Sequence, residues 1–131
     1  MKIAVDFDGT VVEDAYPEIG KPKPFALETL KKLSHDHQII LWTCRTGSLL
    51  DKAVEFLKNS GVRLYAVNQD SNDEQIDLSD MRHFMRKVDA DIFIDDRNFG
   101  GFPGWGKIWQ QLGDGNVPDP EPAKKKWFWQ R

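Results

Sequence analysis

The sequence predicts an α/β fold, a three-layer sandwich built around a parallel sheet. Three observations predict it. The apolar runs Ile3-Ala4-Val5, Ile39-Ile40-Leu41, Leu64 to Val67 and Ile92-Phe93-Ile94 are continuous. Continuous runs, as opposed to alternating ones, mark strands buried on both faces. Between most of these runs lie stretches with apolar residues at helical spacing, and strands that alternate with helices form parallel sheets. Finally, three runs lead into residues with polar chemistry, Asp6, Thr43 and Asp95-Asp96, at the strand edge where open α/β sheets bind ligands.

At 131 residues the chain holds one core. We place the folded domain at residues 1–113 and read residues 114–131 as a Pro-rich, then basic and aromatic, tail. A net charge of −3 excludes a global basic field for nucleic acid. The start Met-Lys-Ile-Ala-Val-Asp reaches a charge too soon for a secretory signal. No apolar run nears the roughly 18 residues that span a bilayer, so no membrane partner is expected. The single cysteine, Cys44, rules out an internal disulfide framework and fits a cytoplasmic location.

In chain order, Ile3 to Val5 is the first strand, followed by Asp6-Phe7-Asp8-Gly9-Thr10. If the strand continues, its period of two puts Asp6 and Asp8 on one face. Paired carboxylates repel unless a cation or proton lies between them. Gly9 lets the chain turn. The two acids therefore read either as a cation site or as caps of a turn. Val11 to Pro24 holds three prolines and Gly20, a loop. Pro24 suits a first helical turn, and Phe25 to His35 carries Ala26, Leu30 and Leu33 on one stripe. His35 and His37 at its end read as dipole partners or solvated residues, ahead of metal ligands.

Gln38 to Cys44 is the second strand. Thr43 is either a β-branched strand residue or a hydroxyl donor to a phosphate oxygen. Arg45-Thr46-Gly47-Ser48 opens a helix with Thr46 or Ser48 as N-cap. Arg45 at that opening suits an anion. Leu49, Ala53, Phe56 and Leu57 form the helix's apolar face and Gly61 its C-terminal cap. After the strand Leu64 to Val67, Asn68 to Gln75 reads as a solvated loop. It is calcium-like in composition but lacks EF-hand spacing. Asp77 to Val88 is predicted helical, with Met81, Phe84, Met85 and Val88 as core. The fourth strand ends in Asp95-Asp96-Arg97-Asn98. A loop over Phe99 to Gly106 precedes a last helix, about Gly106 to Leu112. The tail Lys124 to Arg131 either docks its aromatics on the domain, the reading we prefer, or attracts single-stranded nucleic acid.

Asp-Phe-Asp-Gly-Thr-Val resembles the first motif of the haloacid dehalogenase superfamily, most of whose members are Mg2+-dependent phosphatases. Thr43 matches its second motif, Lys87 its third, with Arg86 as competitor, and Asp95-Asp96 its fourth, all in the right order over Met1 to about Asn98. The resemblance implies a Rossmann-like sheet with strand order 3-2-1-4 and a β-hairpin flap within Val11 to Pro24. Neither cap site of the family has room for a lid domain. It implies that Asp6 is the nucleophile, Asp8 the acid and base, and that Thr43 and Lys87 hold the phosphoryl group. Asp6, Asp8 (through its carbonyl) and Asp95 would hold Mg2+, with Asp96 bound through water or holding Lys87. Gly9, Thr10, Arg45 and Arg97 are expected to contact substrate. An open site would take a phosphorylated small molecule or macromolecule, such as a nucleic-acid end, unless a second subunit closes it. The alternative from another class is a binding module that has kept the fold and lost turnover.

Overall fold

The structure, a computed structural model, describes residues 1–71 and 88–113. In chain order the elements are β1 (Lys2–Val5), α1 (Ala26–Asp36), β2 (Gln38–Leu41), α2 (Gly47–Asn59), β3 (Leu64–Val67), β4 (Ile92–Ile94) and α3 (Trp105–Leu112). The four strands form one sheet in the order β3-β2-β1-β4, and every pairing is parallel. The expected α/β class, parallel sheet and strand order are therefore observed, in a Rossmann-like arrangement.

The central strands β1 and β2 are buried on both faces, which explains their continuous apolar runs. Ile3, Val5, Ile39, Leu41 and Ile94 face the main core with Leu30, Leu33, Leu57, Trp105, Ile108 and Trp109. This is the side on which all three helices of the described residues lie. Ala4 and Ile40, one residue out of step, face the opposite side and are fully buried with Ala66 and Val88. Burying such side chains contributes roughly 1.5–3 kcal/mol for each large one, so both faces help hold the strands in register.

Several ends differ from the sequence reading. β2 stops at Leu41 instead of Cys44, although the Trp42 N–H still donates to the Val5 carbonyl. Pro24 lies outside α1: Phe25 is the N-cap, in the left-handed region at φ 67. Thr46 is the N-cap of α2 and makes no side-chain capping bond. Gly61, at φ 87, turns the chain after α2 as expected. Around Val12 the chain forms the hairpin-like strap anticipated for the flap, with bonds from the Glu13 N–H to the Lys21 carbonyl and from the Lys23 N–H to the Val11 carbonyl. His37 lies against the N-terminal amine and the Leu112 carbonyl. Lys87, Arg86, most of the helix expected over Asp77 to Val88, and the tail after Gly113 lie outside the described residues. No helix among the described residues is long and apolar enough to cross a membrane.

Candidate functional site

The register of the sheet builds the site. Val5 aligns with Leu41 and with Ile94, and Leu41 aligns with Val67. The next residue on each strand is therefore Asp6, Trp42, Asn68 and Asp95, a row along one sheet edge. Ladder-type bonds carry the row past the strand ends: Asp6 N–H to the Ile94 carbonyl (3.0 Å), Trp42 N–H to Val5 (2.9 Å) and Asn68 N–H to Leu41 (2.7 Å). Four strand ends from four parts of the chain thus meet at one place.

Carboxylate oxygens of Asp6, Asp95 and Asp96 lie within 4.8 Å of one another. Thr10 holds this cluster from below. Its fully buried hydroxyl is 2.9 Å from Asp96 Oδ1 and 3.2 Å from Asp6 Oδ2, and it accepts the Asp96 N–H at 2.9 Å. The Trp105 indole N–H donates to the Thr10 carbonyl at 2.9 Å, tying α3 to the same turn. Gly9 is required beside it. Its φ is +90, and a Cβ there would stand 2.7 Å from Asp96 Oδ2. Asp95 is fixed from the other side, where it accepts the Arg97 N–H on its carboxylate and the Asn98 side-chain amide on its carbonyl.

Burial pushes the Asp6 carboxyl up to about 7, and the neighbouring charge of Asp95, then that of Asp96, adds to the rise against the hydrogen bonds from Phe7 and Thr10. Three clustered acids with uncompensated repulsion form an all-oxygen donor set. Such a set fits a hard divalent cation of the Mg2+ type, and these three residues could hold one.

Asp8 takes a different place from the one the strand period predicts, because β1 ends at Val5 and the chain turns at Phe7. The Phe7 carbonyl accepts from both Thr10 and Val11. The Asp8 carboxylate stands apart from the cluster in a forked ion pair: Arg45 Nε donates to Oδ2 and Nη2 to Oδ1, each at 2.7 Å. It still lines the cavity over the site.

That cavity, about 390 Å³, is lined by Asp6, Asp8, Asp14, Tyr16, Thr43, Cys44, Asp95 and the exposed Arg97. A neighbouring space of about 580 Å³ shares Asp6, Thr43, Cys44 and Asp95 and adds Trp42, Thr46 and Asn68. Asp6, Asp8, Thr43, Asp95 and Arg97 are therefore brought together as expected. Gly9 and Thr10 lie beneath the site and support it. Arg45, expected to meet substrate, points inward and is 1 % exposed. The physical reason is the Asp8 carboxylate, which pairs with its guanidinium and raises it further above its ordinary value.

Sequence reasoning missed Asn68, which it assigned to a solvated loop. Asn68 is buried in the left-handed region at φ 54, and its Oδ1 accepts the Thr43 N–H at 2.8 Å. The signal was its place as the first polar residue after an apolar strand. Thr43 Oγ1 in turn accepts the Arg45 N–H at 3.1 Å.

No protein-family model matches the chain, and no curated protein matches it. A solved structure of a conserved protein from Bacteroides thetaiotaomicron is similar to it, at 49% identity and a TM-score of 0.75, over 88% of this chain and 92% of that one. At that identity and coverage, the chain belongs to the same family as this conserved Bacteroides protein.

Proposed function

We propose that the protein is a Mg2+-dependent phosphomonoester hydrolase of the haloacid dehalogenase type, with no cap domain, working through an aspartyl-phosphate on Asp6. The observation that carries the reading is the convergence of Asp6, Thr43 and Asp95, from the ends of three strands, on one cavity above an acid cluster. The motif order in the sequence supports the same reading.

The Asp6 and Asp95 carboxylates and the Asp8 carbonyl oxygen would hold Mg2+, with Asp96 bound through water. Such an ion supplies the positive charge that lets a carboxylate approach a phosphate. Asp6 then attacks phosphorus, forming an O–P bond as the bond to the leaving oxygen breaks. Asp8 gives that oxygen its proton, and afterwards takes a proton from the water that displaces Asp6 and frees phosphate. The Thr43 hydroxyl keeps its own proton for a phosphoryl oxygen, because the bond from the Arg45 N–H uses only a lone pair. Lys87, outside the described residues, is proposed to hold a second oxygen. Substrates would be phosphorylated small molecules or exposed phosphate groups on macromolecules.

A second reading has its own observation. Both Asp8 oxygens are engaged by Arg45, and a phosphate-binding module without turnover needs no freer acid. Hydrolysis of p-nitrophenyl phosphate with and without Mg2+, by the wild type and Asp6→Asn, separates the two. Mg2+-dependent turnover lost in Asp6→Asn supports the hydrolase. Phosphate binding with no turnover in either protein supports the module.

A further inference from the structure

We infer that Arg45 is a positioning residue, one guanidinium that both orients the Asp8 carboxylate and clamps the strap over residues 13–22 onto the site. What Asp8 does in the reaction rests on the hydrolase reading above; the clamp itself does not.

A substrate-binding arginine keeps donors free toward solvent. Arg45 keeps none: its five N–H groups meet five oxygens, namely Asp8 Oδ2, Asp8 Oδ1 and the carbonyls of Glu18, Pro17 and Leu49, the last at 3.4 Å. Its planar head also lies 5.3 Å from the Phe7 ring centre and 5.2 Å from that of Tyr16. Burying a guanidinium costs several kcal/mol unless it is paired and fully hydrogen-bonded, and here it is both.

The partners come from three separate segments. Asp8 belongs to the turn after β1, and Tyr16, Pro17 and Glu18 belong to the strap. Leu49 belongs to the first turn of α2. The strap's own main-chain bonds are few, among them Glu13 N–H to Lys21, Glu18 N–H to Ala15 and Lys23 N–H to Val11. Between Glu13 and Lys21 most residues are exposed, Tyr16, Pro17 and Glu18 among them, and the apolar anchor is the partly buried Ile19, so Arg45 supplies the polar attachment beside it. Tyr16 and Asp14 from this strap form the outer wall of the cavity that Asp8 lines.

A lysine cannot reproduce the clamp. Its ammonium is a point charge without the planar fork that sets the plane of a carboxylate. In Arg45→Lys the charge balance is kept, Asp8 rotates, and the strap loses its carbonyl contacts. Proton delivery to the leaving oxygen should then suffer most where that oxygen is a poor leaving group.

The test compares wild type and Arg45→Lys, each shown to be folded by its melting curve, in two measurements. Amide hydrogen exchange over residues 13–22 should quicken by about tenfold or more in Arg45→Lys. With Mg2+, kcat on glycerol 2-phosphate should fall by about 10²-fold, a general-acid contribution. On p-nitrophenyl phosphate it should fall by about tenfold or less, with KM little changed on both. Unchanged exchange in the strap overturns the clamp. Equal falls on the two substrates, or a rise in KM alone, overturn the positioning of Asp8 and return Arg45 to core support or to substrate binding. If the wild type hydrolyses neither ester, the hydrolase reading fails, and exchange alone decides the clamp. If Arg45→Lys does not fold, Asp8→Asn/Arg45→Met removes both charges together and serves the exchange measurement, with the same two outcomes.

Discussion

Replacing Asp6 by Asn should make the metal-free protein more stable at alkaline pH, an unusual outcome for a change in a half-buried, hydrogen-bonded site. The carboxyl of Asp6 is held at about 7 in the folded protein against an ordinary 3.8. The folded state therefore binds a proton more readily than the unfolded state between those two values. Stability from this group is full below the ordinary value and is lost as pH rises toward about 7. Each unit corresponds to about 1.4 kcal/mol, which would give about 4 kcal/mol for a group sealed from water. Asp6 is only partly buried, so solvent screening reduces this to about 1–2 kcal/mol. Asn at this position has no charge to desolvate and still accepts from Thr10. Thermal melting in EDTA should show Asp6→Asn above wild type by about 2–8 °C near pH 8, with the gap closing near pH 4. Taking the difference between the two proteins at each pH cancels the titration of all other groups. Added Mg2+ should raise the wild-type melting temperature and leave Asp6→Asn nearly unmoved. Equal melting temperatures near pH 8, or a gap of the same size near pH 4, would refute the argument that desolvation and the charges of Asp95 and Asp96 act on Asp6.

Asp95→Asn should raise the Mg2+ concentration needed for half-maximal melting stabilisation by about tenfold, roughly 1.4 kcal/mol of ligand energy; an unchanged concentration would assign the ion to Asp96. Thr10→Val keeps the shape but strands the Asp96 N–H, and should cost about 1–3 kcal/mol in urea unfolding with an unchanged slope. Gly9→Ala should be at least as costly, about 1–3 kcal/mol for the strained φ alone, and should also weaken Mg2+ binding, because the added carbon displaces Asp96. Trp105→Phe removes the bond to the Thr10 carbonyl and should cost about 1 kcal/mol, a loss read in the same urea series.

The strands and the strand-end acids were legible because their causes are local. A parallel strand buried on both faces needs a continuous apolar run, and Ile3 to Val5, Ile39 to Leu41 and Ile92 to Ile94 supply it. Asp6 and Asp95 follow those runs directly and Thr43 one residue later, so their edge position follows from the chain. Arg45 was misplaced because its partner lies 37 residues away: spacing reveals that an arginine opens a helix, but not which carboxylate faces it. Asp8 was misoriented for a related reason, since the strand period applies only while the strand lasts and β1 stops at Val5. Asn68 was hidden by the polar residues after it, although its relation to β3 is that of Asp6 to β1. The helix ends were blurred by Phe25, whose left-handed φ is not a propensity of phenylalanine.

The place of β1 between β2 and β4 has a consequence for the growing chain. A nascent chain released through Val67 already has the means to pair β1, β2 and β3 and to bring Asp6 beside Thr43. It lacks Asp95 and Asp96, and with them the hydroxyl and amide bonds that Thr10 makes to Asp96, 86 residues away. The acidic cluster of Asp6, Asp95 and Asp96 is therefore born only when β4 docks beside β1, after Asp96 has left the ribosome. Synthesis delivers the N-terminal part first, so a partly made chain in a Mg2+-rich cell holds an acidic turn with nothing to close it. The three-acid cluster marks the arrival of β4, and cannot precede it.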